Sequence, residues 1–196
     1  MDVKMLAPAL QLLIKQLNYY FPNIGYSSGY RTAEEQDALY MQGRSEPGQI
    51  VTYARGAFYE SQHQWSIAFD FYKDEPGHAY DDLGFFRDVG KFALDAGFGW
   101  GGTWDKPDMP HIYIPTWGDT TVKLREIFGS PDKFRETDFF RRMLDVDGYA
   151  GQNTISALQL YFGVVPDGYI SRPSPTIKKL QAFLNHNQEV ILNGGE

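Results

Sequence analysis

Two short segments hold residue types that could do chemistry together: Ser61-Gln62-His63-Gln64-Trp65-Ser66-Ile67-Ala68-Phe69-Asp70 and Asp108-Met109-Pro110-His111. Two histidines and one carboxylate (His63, His111 and Asp70) would leave a fourth position of a zinc site open to water, the layout of a catalytic rather than a structural centre. Zinc lowers the pKa of such a water toward neutrality. A second carboxylate must then take its proton and hand it to a leaving amine, and Asp108, three residues before His111, is the candidate. With Cys 0 and His 4, thiolate sites, disulfides and a Cys nucleophile are excluded, and few histidines compete as ligands. His78, within Asp74-Glu75-Pro76-Gly77-His78, reads as a solvated loop residue. His186, among Asn185, Asn187 and Gln188, reads as structural or exposed. On spacing alone, a surface His–Asp pair or a satisfied core group remains an open reading of the same residues.

The elements needed to position these groups are partly legible. Ile67 to Tyr72 and His111 to Ile114 alternate like strands. His63 and Asp70 are seven apart, so a straight strand would set them on opposite faces; His63 must lie before the strand, on a loop that folds back. Pro110 disfavours helix at Met109 and suits entry into a strand opened by His111. A helix is expected from Lys4 to Tyr20, a strand over Ile24 to Tyr30, and a helix from Thr32 through Met41. Thr32 and Glu35 form the capping box of that last helix, which ends near Gly43. Further helices are expected over Leu83 to Ala96 and Val122 to Phe128. The order suggests α+β, with a small mixed sheet and flanking helices.

Net charge is −7 and no basic stripe exists, which removes the main electrostatic drive for nucleic-acid binding and for anionic lipid. Leu6, Leu10, Leu13, Ile14 and Leu17 fall at helical spacing, so the apolar N-terminal stretch reads as a core helix rather than a signal peptide. No run has the length to span a bilayer. Residues 1–130 read as one domain, 131–137 as a linker around Pro131-Asp132, and 138–196 as a small all-α module. That last part repeats: Asp147-Gly148-Tyr149 with Ala157-Leu158-Gln159, then Asp167-Gly168-Tyr169 with Lys179-Leu180-Gln181. Ser174 and Pro175 are expected at N-cap and N1. The two helices would bury Leu158, Tyr161, Leu180 and Phe183 against each other, with Phe139 to Leu144 as a third helix.

The two motifs resemble Ser-x-His-x-x-Gly-x-Ala-x-Asp and Asp-x-Pro-His of the zinc peptidases that cut bacterial cell-wall peptides. That group includes D-Ala-D-Ala carboxypeptidases and the L-alanyl-D-glutamate endopeptidases of phage endolysins. Ser28-Gly29-Tyr30-Arg31-Thr32, Glu35-Gln36, Leu39-Tyr40, Gln42-Gly43-Arg44, Pro47-Gly48, Ile50-Val51-Thr52-x-Ala54 and Trp100-Gly101-Gly102-x-Trp104 resemble the endolysin branch in particular. The resemblance covers about residues 20–115. It implies the α+β fold shared by these peptidases and hedgehog domains, Zn2+ as cofactor, His63, Asp70 and His111 as ligands, and Asp108 as base. Arg31 falls where the family has a cation near the substrate, against the alternative of a salt bridge to Glu34, Glu35 or Asp37.

Ser61, Gln36, Trp104 and Tyr30 are the further candidate substrate contacts. Ser61 could instead shape its loop, and Gln36 could face solvent. Two departures stand out: Ser66 replaces the usual Gly, leaving the backbone ordinary or strained there, and Ile112 replaces the usual Phe. The C-terminal repeat resembles peptidoglycan-binding modules, with Tyr149 and Tyr169 as candidate wall contacts. The function implied is hydrolysis of the L-Ala–D-Glu bond of peptidoglycan by an endolysin, held in the host cytoplasm until lysis and then acting at the cell wall. A D-Ala-D-Ala carboxypeptidase and a non-catalytic zinc-containing wall-binding protein are the alternatives.

Overall fold

The computed structural model describes residues 1–137, 150–162, 164 and 169–193. The chain divides into two compact units, Met1–Met143 and Leu144–Glu196.

In the first unit a four-stranded sheet has the order β1-β2-β4-β3, with β1 at Ile24–Ser28, β2 at Ala68–Lys73, β3 at Gly99–Trp100 and β4 at His111–Tyr113. Every strand pairing in this sheet is antiparallel, which corrects the mixed sheet expected from the sequence. The reason lies in the connections. Helix α3 (Leu83–Asp95) carries the chain from β2 to β3 in the same direction, but β4 inserts between them and runs against both.

Strand periodicity gives the sheet two unlike faces. On β2, Phe69 and Phe71 are fully buried and join Ile112 of β4 in the core. The alternate residues Ala68 and Asp70 point the other way with His111 and Tyr113. The core is completed by α1 (Pro8–Tyr20) through Leu10, Leu13, Ile14 and Leu17, and by α3 through Phe86, Val89 and Ala93. Gly90 is required on α3 because a Cβ there would stand 2.2 Å from the Trp100 ring.

The helix expected from Lys4 is split. Val3–Met5 forms a 3-10 turn, and α1 starts at Pro8, since the residue before a proline is barred from helical geometry. Helix α2 (Ala33–Met41) carries the Thr32/Glu35 capping box in full. The helix over Val122–Phe128, α4, falls where the sequence places it.

The segment read as a linker is instead helix α5 (Pro131–Arg135), capped by Ser130. Its Phe134 is fully buried against Trp65, Trp117 and Phe128, so this helix packs into the first unit through Pro131 and Phe134.

In the second unit the described helices are Gln152–Tyr161 and Pro175–Asn193. Ser174 Oγ accepts from Ile177 N–H at 3.2 Å, so the cap is as expected. Tyr161, Phe162 and Phe183 form a three-ring contact, and Lys179 Nζ donates to Phe162 O. Phe162 is the ring most deeply buried, while Phe183 stays 37% exposed, so less of Phe183 is covered than the repeat pattern implies. Tyr149, the turns Asp147-Gly148 and Asp167-Gly168, and the third helix expected over Phe139 to Leu144 lie outside the described residues.

Candidate metal centre and its cavity

His63, Asp70 and His111 come together on the polar face of the sheet. Asp70 and His111 are direct partners across β2 and β4, so they share a face. His63 sits before β2 on a 3-10 turn, Gln62–Trp65, as its distance from Asp70 requires. The turn is closed by Ser66 in the left-handed region, φ 60° and ψ 22°. The serine that replaces the usual glycine therefore carries real backbone strain, and its buried hydroxyl has no hydrogen-bond partner among the described residues.

One ligand atom from each of the three residues lies within 4.8 Å of the others. Asp70 Oδ2 is 3.3 Å from His63 Nε2, and Asp70 Oδ1 is 3.0 Å from His111 Nδ1. The opposite nitrogen of each ring is tied to a carbonyl oxygen. His63 Nδ1 is 2.7 Å from Gly29 O, and His111 Nε2 is 2.7 Å from Gln62 Oε1. A carbonyl only accepts, so these two nitrogens carry the protons. His63 Nε2 and His111 Nδ1 are thereby left with lone pairs turned toward Asp70. That is the tautomer and orientation a metal-binding histidine needs. The donor set, two neutral imidazoles and a carboxylate, fits a divalent metal ion such as zinc.

The charge balance agrees. Burial lowers the pKa of His63, which keeps it neutral. Burial pushes Asp70 up, but the polar contacts with His63 and His111 outweigh it, and the carboxyl is held well below the usual range, ionised as a metal ligand must be. Arg31 Nη2 donates to Asp70 Oδ2 at 2.9 Å. The ion pair considered for Arg31 with Glu34, Glu35 or Asp37 is replaced by this one with Asp70. Its other donors reach Ser28 Oγ and Gln36 Oε1, both at 2.9 Å.

These groups open into a cavity of about 610 Å³ whose lining includes Arg31, Ser61, His63, Asp70, Trp104, Asp108 and His111. Asp108 is placed by its backbone: its N–H donates to Gly101 O, and its carbonyl accepts from His111 N–H. Gly101 must be glycine, since a Cβ there would lie 2.6 Å from Asp108 O. Crowding by protein raises the Asp108 pKa, with Asp70 adding, against the pull of His111, His63 and Arg31. A carboxylate poised this way suits proton transfer. Trp104 packs on the His111 ring at 5.2 Å.

Gln36 and Tyr30 stand outside the residues that line this cavity. Gln36 is fully buried and holds Arg31 while donating to Thr52 Oγ1 and Ala54 O. Tyr30 lies under the Arg135 guanidinium, 4.6 Å from its ring centroid. Tyr169, in the other unit, is 70% exposed. His78 pairs with Asp81 in the solvent, as a loop histidine would. Sequence reasoning missed Gln62. It adjoins His63 in the chain but serves His111, a partner visible only once β4 is placed beside the turn.

Residues 55–114 match the M15 peptidase family model described as D-alanyl-D-alanine carboxypeptidase. The matched stretch contains His63, Asp70, Asp108 and His111. Over 97 residues the chain is 38% identical to the peptidoglycan L-alanyl-D-glutamate endopeptidase CwlK of Bacillus subtilis (strain 168). That similarity takes in 44% of this chain and 57% of the relative. Among the described residues no helix is long and apolar enough to cross a membrane.

Proposed function

We propose that this protein is a zinc-dependent peptidase of bacterial peptidoglycan that cuts the stem peptide between L-Ala and D-Glu. The observation that carries the metallopeptidase reading is the buried corner of His63, Asp70 and His111, with both far ring nitrogens tied to carbonyls and Asp108 on the same cavity.

In this reading His63, Asp70 and His111 hold the ion, which supplies Lewis acidity at the corner when bound. Asp108 takes a proton from the attacking water and delivers it to the amine nitrogen as the C–N bond breaks. Arg31 stands beside the corner, where its charge stabilises negative charge developing on the carbonyl oxygen. Gln36 keeps the guanidinium in place.

Support for an endopeptidase comes from the groove. A second cavity, of about 570 Å³, borders the first across Ser27, Arg31, Leu39 and Gln42, so there is open space on the far side of Arg31 as well. An enzyme that trims a terminal residue needs a closed end, whereas one that cuts within a chain needs room on both sides. The relative named for the L-alanyl-D-glutamate bond supports the same choice. The description of the matched family supports a D-Ala-D-Ala carboxypeptidase as the second reading. The proposal extends to an endolysin role, with residues 138–196 holding the enzyme on the wall; the Leu-Gln repeat and its resemblance to wall-binding modules support it.

The test is mass spectrometry of digested peptidoglycan, with and without a chelator. New N-terminal D-Glu, lost on chelation and restored by zinc, is expected. Release of free D-Ala would replace the endopeptidase by the carboxypeptidase. Wall binding by the zinc-loaded protein with no amine released would replace both by a binding protein.

A further inference from the structure

Beside the cavity runs a row of alternating rings and guanidinium groups that the metal chemistry does not use. Arg44 lies 4.0 Å from the centroid of Tyr40 and 5.5 Å from that of Tyr53. Arg55 lies 5.1 Å from Tyr40 and 5.8 Å from Phe58. The order is Tyr53, Arg44, Tyr40, Arg55, Phe58. The row is held in place: Arg44 donates to Tyr40 O and to Thr52 O, and Gly56 and Ala57 N–H groups bind the Asp37 carboxylate of α2. Its two ends are open to solvent, with Tyr53 77% and Phe58 54% exposed. Tyr53, with Val51, Thr52 and Ala54, also forms part of the cavity wall.

Exposed aromatics kept rigid beside planar donors are a binding surface rather than a core. Sugar rings stack on aromatic faces through their C–H groups, and guanidinium N–H groups reach hydroxyl, amide and carboxylate oxygens. The proposed function makes a sugar the expected neighbour. In peptidoglycan, L-Ala is joined through a lactyl group to the N-acetylated amino sugar of the glycan. A bond cut just after L-Ala therefore lies one residue from the glycan strand. The chain's net charge of −7 disfavours a nucleic acid as the occupant.

We infer that the Tyr53–Arg44–Tyr40–Arg55–Phe58 row is a glycan-binding rim, which seats the sugar backbone of the wall while the attached peptide enters the cavity. The inference rests on the proposed L-Ala–D-Glu specificity for its geometry. Its test separates the two. The zinc-loaded full chain and its double variant Phe58→Ala with Arg55→Ala, both positions outside the cavity lining, are assayed on intact peptidoglycan and on a sugar-free peptide beginning L-Ala-D-Glu.

The double variant should lose about tenfold in kcat/KM on the wall, the size of two stacking contacts, and stay within about twofold on the free peptide. Equal loss on both substrates, or loss on neither, overturns the rim. If the unaltered protein cuts neither substrate, the functional proposal has failed. The rim is then judged by titration with an N-acetylglucosamine tetramer followed by NMR. Tyr and Phe ring shifts that vanish in the double variant support it, and no shifts in the unaltered protein overturn it. Tighter binding of a single-stranded oligonucleotide would reassign the row to nucleic acid and also overturn it.

Discussion

The metal corner and the aromatic–arginine row border one cavity and are built by opposite means. At the corner, His63 and His111 are nearly fully buried, and each ring nitrogen faces an oxygen, of the Gly29 backbone, the Gln62 amide or the Asp70 carboxylate. Low dielectric makes those contacts strong and makes a missing partner costly. Along the row, the end rings are exposed and the contacts are cation–π faces, each weaker and more tolerant of change. The difference teaches where precision is invested: reacting atoms need fixed lone pairs, whereas a long polymer needs only a stiff surface to lie on.

Substitution at the corner should break this contrast most strongly. Asp70→Asn is expected to abolish both metal binding and turnover, because it removes a ligand and strands Arg31 beside a neutral amide. Asp108→Ala should retain the metal and lose about 10²–10⁴ in kcat, the usual worth of a general acid–base group. Metal content by mass spectrometry alongside peptide release checks the pair; a variant at Asp108 with ordinary turnover would remove it as the base.

Gln62→Leu sharpens the comparison at the next level. Its side-chain carbonyl is the partner of His111 Nε2. Losing it should weaken metal affinity about 10- to 100-fold, with much less change on replacement by Glu, which keeps an acceptor. Competition with a chromogenic chelator measures both. Equal affinities in the Leu variant and the parent would show that Gln62 does not orient the ring.

Ser66→Gly addresses the strained closure of the His63 turn. Glycine adopts φ 60° freely and removes a buried hydroxyl that has no partner among the described residues. Stability should rise by about 1 kcal/mol, partly offset by the greater freedom of glycine in the unfolded chain. Thermal unfolding of the metal-free protein checks this, and a fall in midpoint would contradict the strain.

The smallest effect belongs to His78, exposed and bonded to Asp81. That hydrogen bond raises its pKa above the ordinary histidine value. The pair's contribution is therefore present below the unfolded pKa and is lost as pH rises through the folded one. NMR titration should show the raised value and its return on Asp81→Asn; an unchanged midpoint would show that the pair is not formed in solution.

Much of this was legible in the chain itself because it is local. Strand alternation gave Asp70 and His111 their faces, the seven-residue separation forced His63 off the strand, and the Thr32/Glu35 box started α2. The linker reading at 131–137 failed because Pro131 can open a helix as readily as end one. Only the buried position of Phe134 among Trp65, Trp117 and Phe128 selects between the two.

By itself, then, the sequence supplied the candidate donor residues and most of the elements that carry them, since residue chemistry and backbone period are written along the chain; the resemblance to cell-wall peptidases is what singled them out as a set. Tertiary structure alone decided the rest. It chose Asp70 as the partner of Arg31, tied His111 to Gln62, buried Gln36 behind the site and lined up Tyr53, Arg44, Tyr40, Arg55 and Phe58. Each of those depends on how turns and strands far apart in sequence close on one another, and no local propensity encodes that.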